Sequence, residues 1–159
     1  MTGHEHTYRS ELSWTGSTGA GYKHYDRAHH LAVPPSVTGL DVSADPAFLG
    51  DPTHLNPEQL LLAAASSCQL LSFLAVAAAA RLNVVGYSDQ SAAVMPEDDL
   101  PMRITRIELY PQITLADTSQ ARPTEDRLTH LTEVAHRECF IANSLRSDIV
   151  VTPTFLWVD

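Results

Sequence analysis

The chain has 159 residues, 44% hydrophobic and 18% charged, with 10 basic against 19 acidic side chains and a formal charge of −9. This suits one globular domain with a sizeable core, and an acidic surface repels phosphate backbones, so nucleic acid is not an expected partner. Two cysteines, Cys68 and Cys139, are too few for a disulfide scaffold and form no C-x-x-C zinc pattern. In a reducing compartment they are either two inert buried thiols or a redox couple.

The N-terminal "MTGHEHTYRSELSW" has no basic segment followed by an apolar run, so no secretion signal is expected and the cytoplasm is the expected compartment. "TYRSELSWTG", the turn-rich "GSTGAG" and "YKHYDRAHHLAV" predict a hairpin over residues 7–33. His24, Asp26, His29 and His30 invite a metal reading, but strand alternation divides them between two faces, and no metal site is expected. Residues 34–55, rich in Pro, Gly and Asp, predict a long ordered loop.

Asn56 as N-cap, Pro57 at the first helical position and Gln59 closing a capping box predict a central helix over 56–82. Glu58 adds a favourable charge to its first turn, Arg81 falls in its last turn and Asn83 near its C-cap. From Leu60 to Ala80 the run carries no charge. It is long enough to span a bilayer, but it is mostly alanine, holds Ser66, Ser67, Gln69 and Ser72, and lacks aromatic anchors at its ends. No membrane association is expected. A helix apolar on almost every face is expected to be buried on nearly all sides.

"VVGYSDQSAAVM" and "RITRIELYPQITLA" alternate as half-buried strands within 84–116, with Pro111 marking a bulge or an edge. "TEDRLTHLTEVAHREC", capped by Thr124, and "CFIANSLR", opening at Cys139, predict two helices within 124–146. "DIVVTPTFLWV" predicts a final strand over 149–158. The order describes a single α+β domain over 1–159, a sheet packed against a long buried helix.

Two segments carry a resemblance. "NPEQLLLAAASSCQ" resembles the segment that leads to the reactive cysteine of the OsmC/Ohr family of thiol peroxidases. "CFIANSLRSDIVVTPTF" resembles that family's second cysteine, short helix and final strand. The order of elements agrees over roughly residues 8–158. Phe140 stands where the best-known members have proline, Gln69 where an aromatic residue often follows the first cysteine, and "SADPAFLGDPTHLNPE" is longer, as in an OsmC-like branch.

The resemblance implies an antiparallel sheet wrapped on the central helix, an intertwined homodimer and reduction of organic hydroperoxides without a cofactor. Cys68 would be the peroxidatic thiol, Cys139 the resolving one, and an external dithiol or lipoyl-bearing protein the reductant. A cysteine in mid-helix gains nothing from its own helix N-terminus, so a cation is expected to ionise it. The family uses an arginine held by the glutamate that Glu58 matches. Arg27 is the candidate arginine, with Arg9 and Lys23 as rivals. Ten helical residues separate Glu58 from Cys68 by about 15 Å, so either the helix breaks or the glutamate comes from a partner subunit. Leu70, Leu71, Phe73 and Phe140 are expected to wall the substrate site. His136 reads either as a pocket residue or as a surface polar residue on an amphipathic helix, the second being favoured. The reading outside catalysis is a stress protein of the same fold that binds a small apolar ligand.

Overall fold

The computed structural model describes residues 3–158, grouped into two compact units that meet in sequence between Leu60 and Leu61. In the first, β1 (Glu11–Ser13), β2 (His29–Ala32) and β3 (Gly39–Val42) form an antiparallel meander, with Leu12 opposite Leu31 and His30 opposite Asp41. Residues between β1 and β2 are tied by Trp14, whose indole N–H donates to the Asp26 carbonyl at 2.8 Å and whose ring meets Tyr25 edge-on. The segment expected to be a long ordered loop contains the strand β3, anchored by the buried Val42. After β3, a 3-10 turn at Pro46–Phe48 is capped by Asp45, whose carboxylate accepts the Ala47 N–H at 2.8 Å. Gly50 closes this turn where no other residue fits, because a Cβ there would lie 1.7 Å from the Ala44 carbonyl oxygen.

Helix α1 (Pro57–Ala79) starts on the expected capping box. The Asn56 side-chain oxygen accepts the Gln59 N–H at 2.8 Å, and the Gln59 side chain accepts the Asn56 N–H at 3.0 Å. Its end differs from the expectation. Leu82 N–H donates to Ala77 and Arg81 N–H to Ala78, a Schellman closure that puts Arg81 in the left-handed region at φ 60°. Arg81 is thus outside the helix, and Asn83 opens the next strand.

Beyond α1 lie β4 (Asn83–Asp89), β5 (Ala92–Val94), β6 (Arg106–Leu109), β7 (Pro111–Ala116), α2 (Glu125–Arg137), α3 (Phe140–Ser144), β8 (Asp148–Val151) and β9 (Thr154–Val158). The strands form two three-stranded sheets, β4-β7-β9 and β5-β6-β8. Each consecutive pair, β4/β5, β6/β7 and β8/β9, passes from one sheet to the other. Pro111, predicted to mark a bulge or an edge, is the buried first residue of a central strand at this crossing, a position that needs no ladder N–H. The predicted final strand is likewise two strands, parted at Thr152–Pro153. The α+β class holds. The sheets are not wholly antiparallel, since β6 pairs with β8 and β7 with β9 in parallel.

A stripe of α1 one residue per turn wide, Ala65, Gln69, Phe73 and Ala77, is the helix's buried face. Phe73 and Ala77 pack with Ile113, Leu115, Leu128 and Ala135 against the β4-β7-β9 sheet. Ala65 packs with Ile107 and Leu109 against the β5-β6-β8 sheet. Gln69 lies on α1 between these two clusters. The opposite face stays open: Leu71 is 63% and Leu74 39% exposed. Burial on nearly all sides is therefore not achieved within one chain, which supplies cover for a single stripe.

Candidate active site

Cys139 lies where α2 hands over to α3. Thr124 caps α2 as expected, accepting the Arg127 N–H, and the helix buries Leu128, Leu131, Thr132 and Ala135. Cys139 then caps α3, its sulfur accepting the Ala142 N–H at 3.5 Å. One residue earlier on the same turn, the Ile141 N–H donates to Cys68 Sγ, also at 3.5 Å. A single turn of α3 thus aims successive backbone donors at both sulfurs.

Their environments differ. Cys139 is 1% exposed, whereas Cys68 is half-buried. Burial works to raise the Cys68 pKa, but the Ile141 N–H, the Cys139 thiol, the Phe140 N–H and the Ser72 hydroxyl together draw it below its ordinary value. Cys139 is pushed up to about 11, mainly by burial and then by the neighbouring Cys68 sulfur, against the help of the Ala142 N–H. Within one chain, backbone donors of another helix favour the Cys68 thiolate.

Arg27 and Glu58 are brought together in the first unit, lining a cavity of about 390 Å³ with Trp14, Tyr25, His29 and Phe48. Arg27 does not pair with Glu58 there. Its guanidinium donates to the Tyr25 carbonyl at 2.8 Å and the Tyr22 carbonyl at 2.7 Å, and lies 4.1 Å from the Tyr25 ring centre and 4.8 Å from that of Tyr22. Aromatic faces and carbonyls hold the arginine in place of the expected carboxylate. The rivals Arg9 and Lys23 do not line this cavity.

Leu71, three residues after Cys68 on α1, is exposed, as is Phe140 at 79%. Phe73 is corrected from a substrate wall to a core residue: it is wholly buried. Five residues after Cys68, it points about 140° away around the helix. His136 is half-buried rather than a surface residue; its Nδ1 is enclosed without a partner among the described residues. It lines an open cavity of about 320 Å³ with Arg137 and Thr132. Sequence reasoning missed the α3 donors, Ser72 and the Tyr22–Tyr25 clamp. Only the prediction of a helix opening at Cys139 pointed toward the donors.

A family model described as "OsmC-like protein" matches residues 50–154. The chain is similar to the structure of an OsmC-like protein of unknown function from Vibrio cholerae, at 26% identity and a TM-score of 0.83, covering 94% of this chain and 100% of that one. It is also similar to an organic hydroperoxide resistance protein OsmC from Legionella pneumophila, at 17% identity, TM-score 0.70 and coverage of 97% and 99%. The organic hydroperoxide resistance protein OhrB of Bacillus subtilis matches at 18% identity, TM-score 0.60 and coverage of 94% and 98%. At these identities the last two likenesses show a shared fold. No curated protein matches the chain.

Proposed function

The chain belongs to the OsmC-like family, and from that premise we propose that it is a cysteine-based thiol peroxidase that reduces organic hydroperoxides to alcohols. The observation that carries the reading is the pairing of an accessible thiol favoured as thiolate, Cys68, with an enclosed thiol favoured as acid, Cys139, across one turn of α3.

Cys68 thiolate attacks the distal oxygen of the hydroperoxide. The O–O bond breaks, the alkoxide takes a proton and leaves as alcohol, and Cys68 becomes a sulfenic acid. Cys139 sulfur then attacks Cys68 sulfur. An S–S bond forms, the S–O bond breaks, and the hydroxyl group leaves with the Cys139 proton as water. An external dithiol, free or carried as a lipoyl group on a protein, reduces the disulfide, and the cytoplasm is the compartment that keeps such a dithiol reduced. Exposed Leu71 and Phe140 favour alkyl or lipid hydroperoxides over hydrogen peroxide.

The working form in this reading is a homodimer. α1 is unbroken from Pro57 to Ala79, so Glu58 and Cys68 of one chain stand about 15 Å apart along it. Arg27 and Glu58 then serve a Cys68 of the other subunit. The open apolar face bearing Leu71 and Leu74 supports a second copy as its cover. A second reading, a binding protein for a small apolar ligand, rests on the aromatic lining of the cavity that holds Arg27.

Thiol titration after one equivalent of an organic hydroperoxide separates the two. Rapid loss of both thiols in the wild type, none in Cys68→Ser and a stalled sulfenic acid in Cys139→Ser support the peroxidase. Survival of the wild-type thiols in excess hydroperoxide sinks it in favour of the binding protein.

A further inference from the structure

α3 has five residues, too few to hold a helix by its own backbone bonds. It nevertheless carries the Ile141 N–H that donates to Cys68 Sγ and the Ala142 N–H that donates to Cys139 Sγ, each at 3.5 Å. Other contacts have to fix this turn. Ile141 and Leu145 hold its apolar side, packing against the cluster of Ala65, Ile107 and Leu109. Asn143 holds its polar side. The Asn143 backbone N–H donates to the Cys139 carbonyl at 3.0 Å, and its side-chain amide donates to the Arg137 carbonyl at 2.8 Å.

The identity of that second acceptor matters. Arg137 is the last residue of α2, where a carbonyl has no donor in its own helix. Were α2 to run on unbroken, the donor to Arg137 would be the N–H four residues ahead, which belongs to Ile141. Cys139 interrupts that path with a ψ of 110°. The Asn143 amide then takes the Arg137 carbonyl, and the Ile141 N–H goes to Cys68 instead. One side chain thus spans the joint between α2 and α3 and satisfies the group that the break leaves over. Ser144, the next residue, differs in this respect. Its hydroxyl donates to the Phe140 carbonyl at 2.7 Å, a bond that stays within α3.

We propose that Asn143 is a positioning residue for Cys68, holding the break between α2 and α3 so that the Ile141 N–H points at the Cys68 sulfur. The inference rests on the peroxidase reading and deepens it, since the Cys68 thiolate is the nucleophile there. Asn143 acts through the turn and not on the sulfur. Without its amide, the Arg137 carbonyl and the Ile141 N–H are free to satisfy one another, at the expense of Cys68.

The test is the pH profile of iodoacetamide alkylation, read on the Cys68 peptide by mass spectrometry, in the wild type, Asn143→Leu and Ser144→Ala. Leucine keeps the shape of asparagine without the donor, and the side chain is exposed, so the core is untouched. Cys139, the titratable group facing Cys68, stays in place in every variant. Asn143→Leu should move the midpoint up and slow alkylation at neutral pH by roughly two- to fivefold, the scale of one neutral hydrogen bond. Ser144→Ala should leave the midpoint in place. An unchanged midpoint in Asn143→Leu overturns the inference, as does an equal rise in Ser144→Ala, which is general loosening of α3. Asn143→Ala carries the test if Asn143→Leu does not fold. Survival of the wild-type thiols in excess hydroperoxide refutes the peroxidase reading itself, whereas the alkylation profiles decide the role of Asn143.

Discussion

Phe140→Pro isolates the contribution of the α3 donors to Cys68. Phe140 is the first residue of α3, where a proline fits because the N–H has no intrahelical partner. The preceding Cys139 is extended, at φ −73° and ψ 110°, the conformation proline asks of its neighbour. The change therefore leaves the backbone in place and deletes one N–H that favours the Cys68 thiolate. A hydrogen bond to a charged group contributes about 1.5–3 kcal/mol, and one pKa unit is 1.36 kcal/mol. Long bonds to sulfur belong at the low end of that range, so the Cys68 pKa should rise. The rate of hydroperoxide attack at neutral pH should then fall, by at most roughly tenfold for one such bond. The assay is the pH profile of Cys68 alkylation in a Cys139→Ser background, with and without the proline. A midpoint that stays in place or moves down would refute the assignment of Cys68 ionisation to the α3 turn.

Arg81→Gly should stabilise the protein by about 1 kcal/mol in urea unfolding, since the exposed arginine occupies a left-handed position that glycine adopts freely; a destabilised variant would show that its side chain does more than turn the chain. Cys139 keeps its proton in the folded state up to about 11, against an ordinary value of 9.0. Its contribution to stability is thus complete below pH 9 and lost as pH rises through about 11. Urea midpoints over that range should fall less in Cys139→Ala, and parallel curves would argue against an enclosed thiol. Leu71→Glu, on the open face of α1, should raise the dimer dissociation constant at least about tenfold in sedimentation equilibrium; an unaffected constant, or a monomeric wild type with full activity, would remove the proposed role of that face.

Where local chemistry decides the structure, the sequence was readable. Asn56 with Gln59, Thr124, and the helix opening at Cys139 all involve partners three residues apart, and all three formed as expected. Where the outcome depends on distant partners it was not. The crossing of strands between sheets at Tyr110–Pro111 and Thr152–Pro153 leaves the apolar alternation unbroken, so each pair reads as one strand. The turn at Arg81 lacked the glycine that usually signals it. The donor to Cys68 comes from a backbone N–H 73 residues away, and backbone groups carry no residue signature. The burial of Phe73 was legible in principle: helical geometry alone turns it away from Cys68.

The central claim is that Cys68 and Cys139 form one redox couple, and single-turnover stoichiometry tests it most directly. Reduced protein is mixed with one equivalent of an organic hydroperoxide, and the alcohol, the free thiols and the cross-linked peptides are measured together. The account predicts one alcohol formed and two thiols lost per chain, with the peptides of Cys68 and Cys139 joined by a disulfide. Thiols that persist while the hydroperoxide remains unconsumed would contradict it.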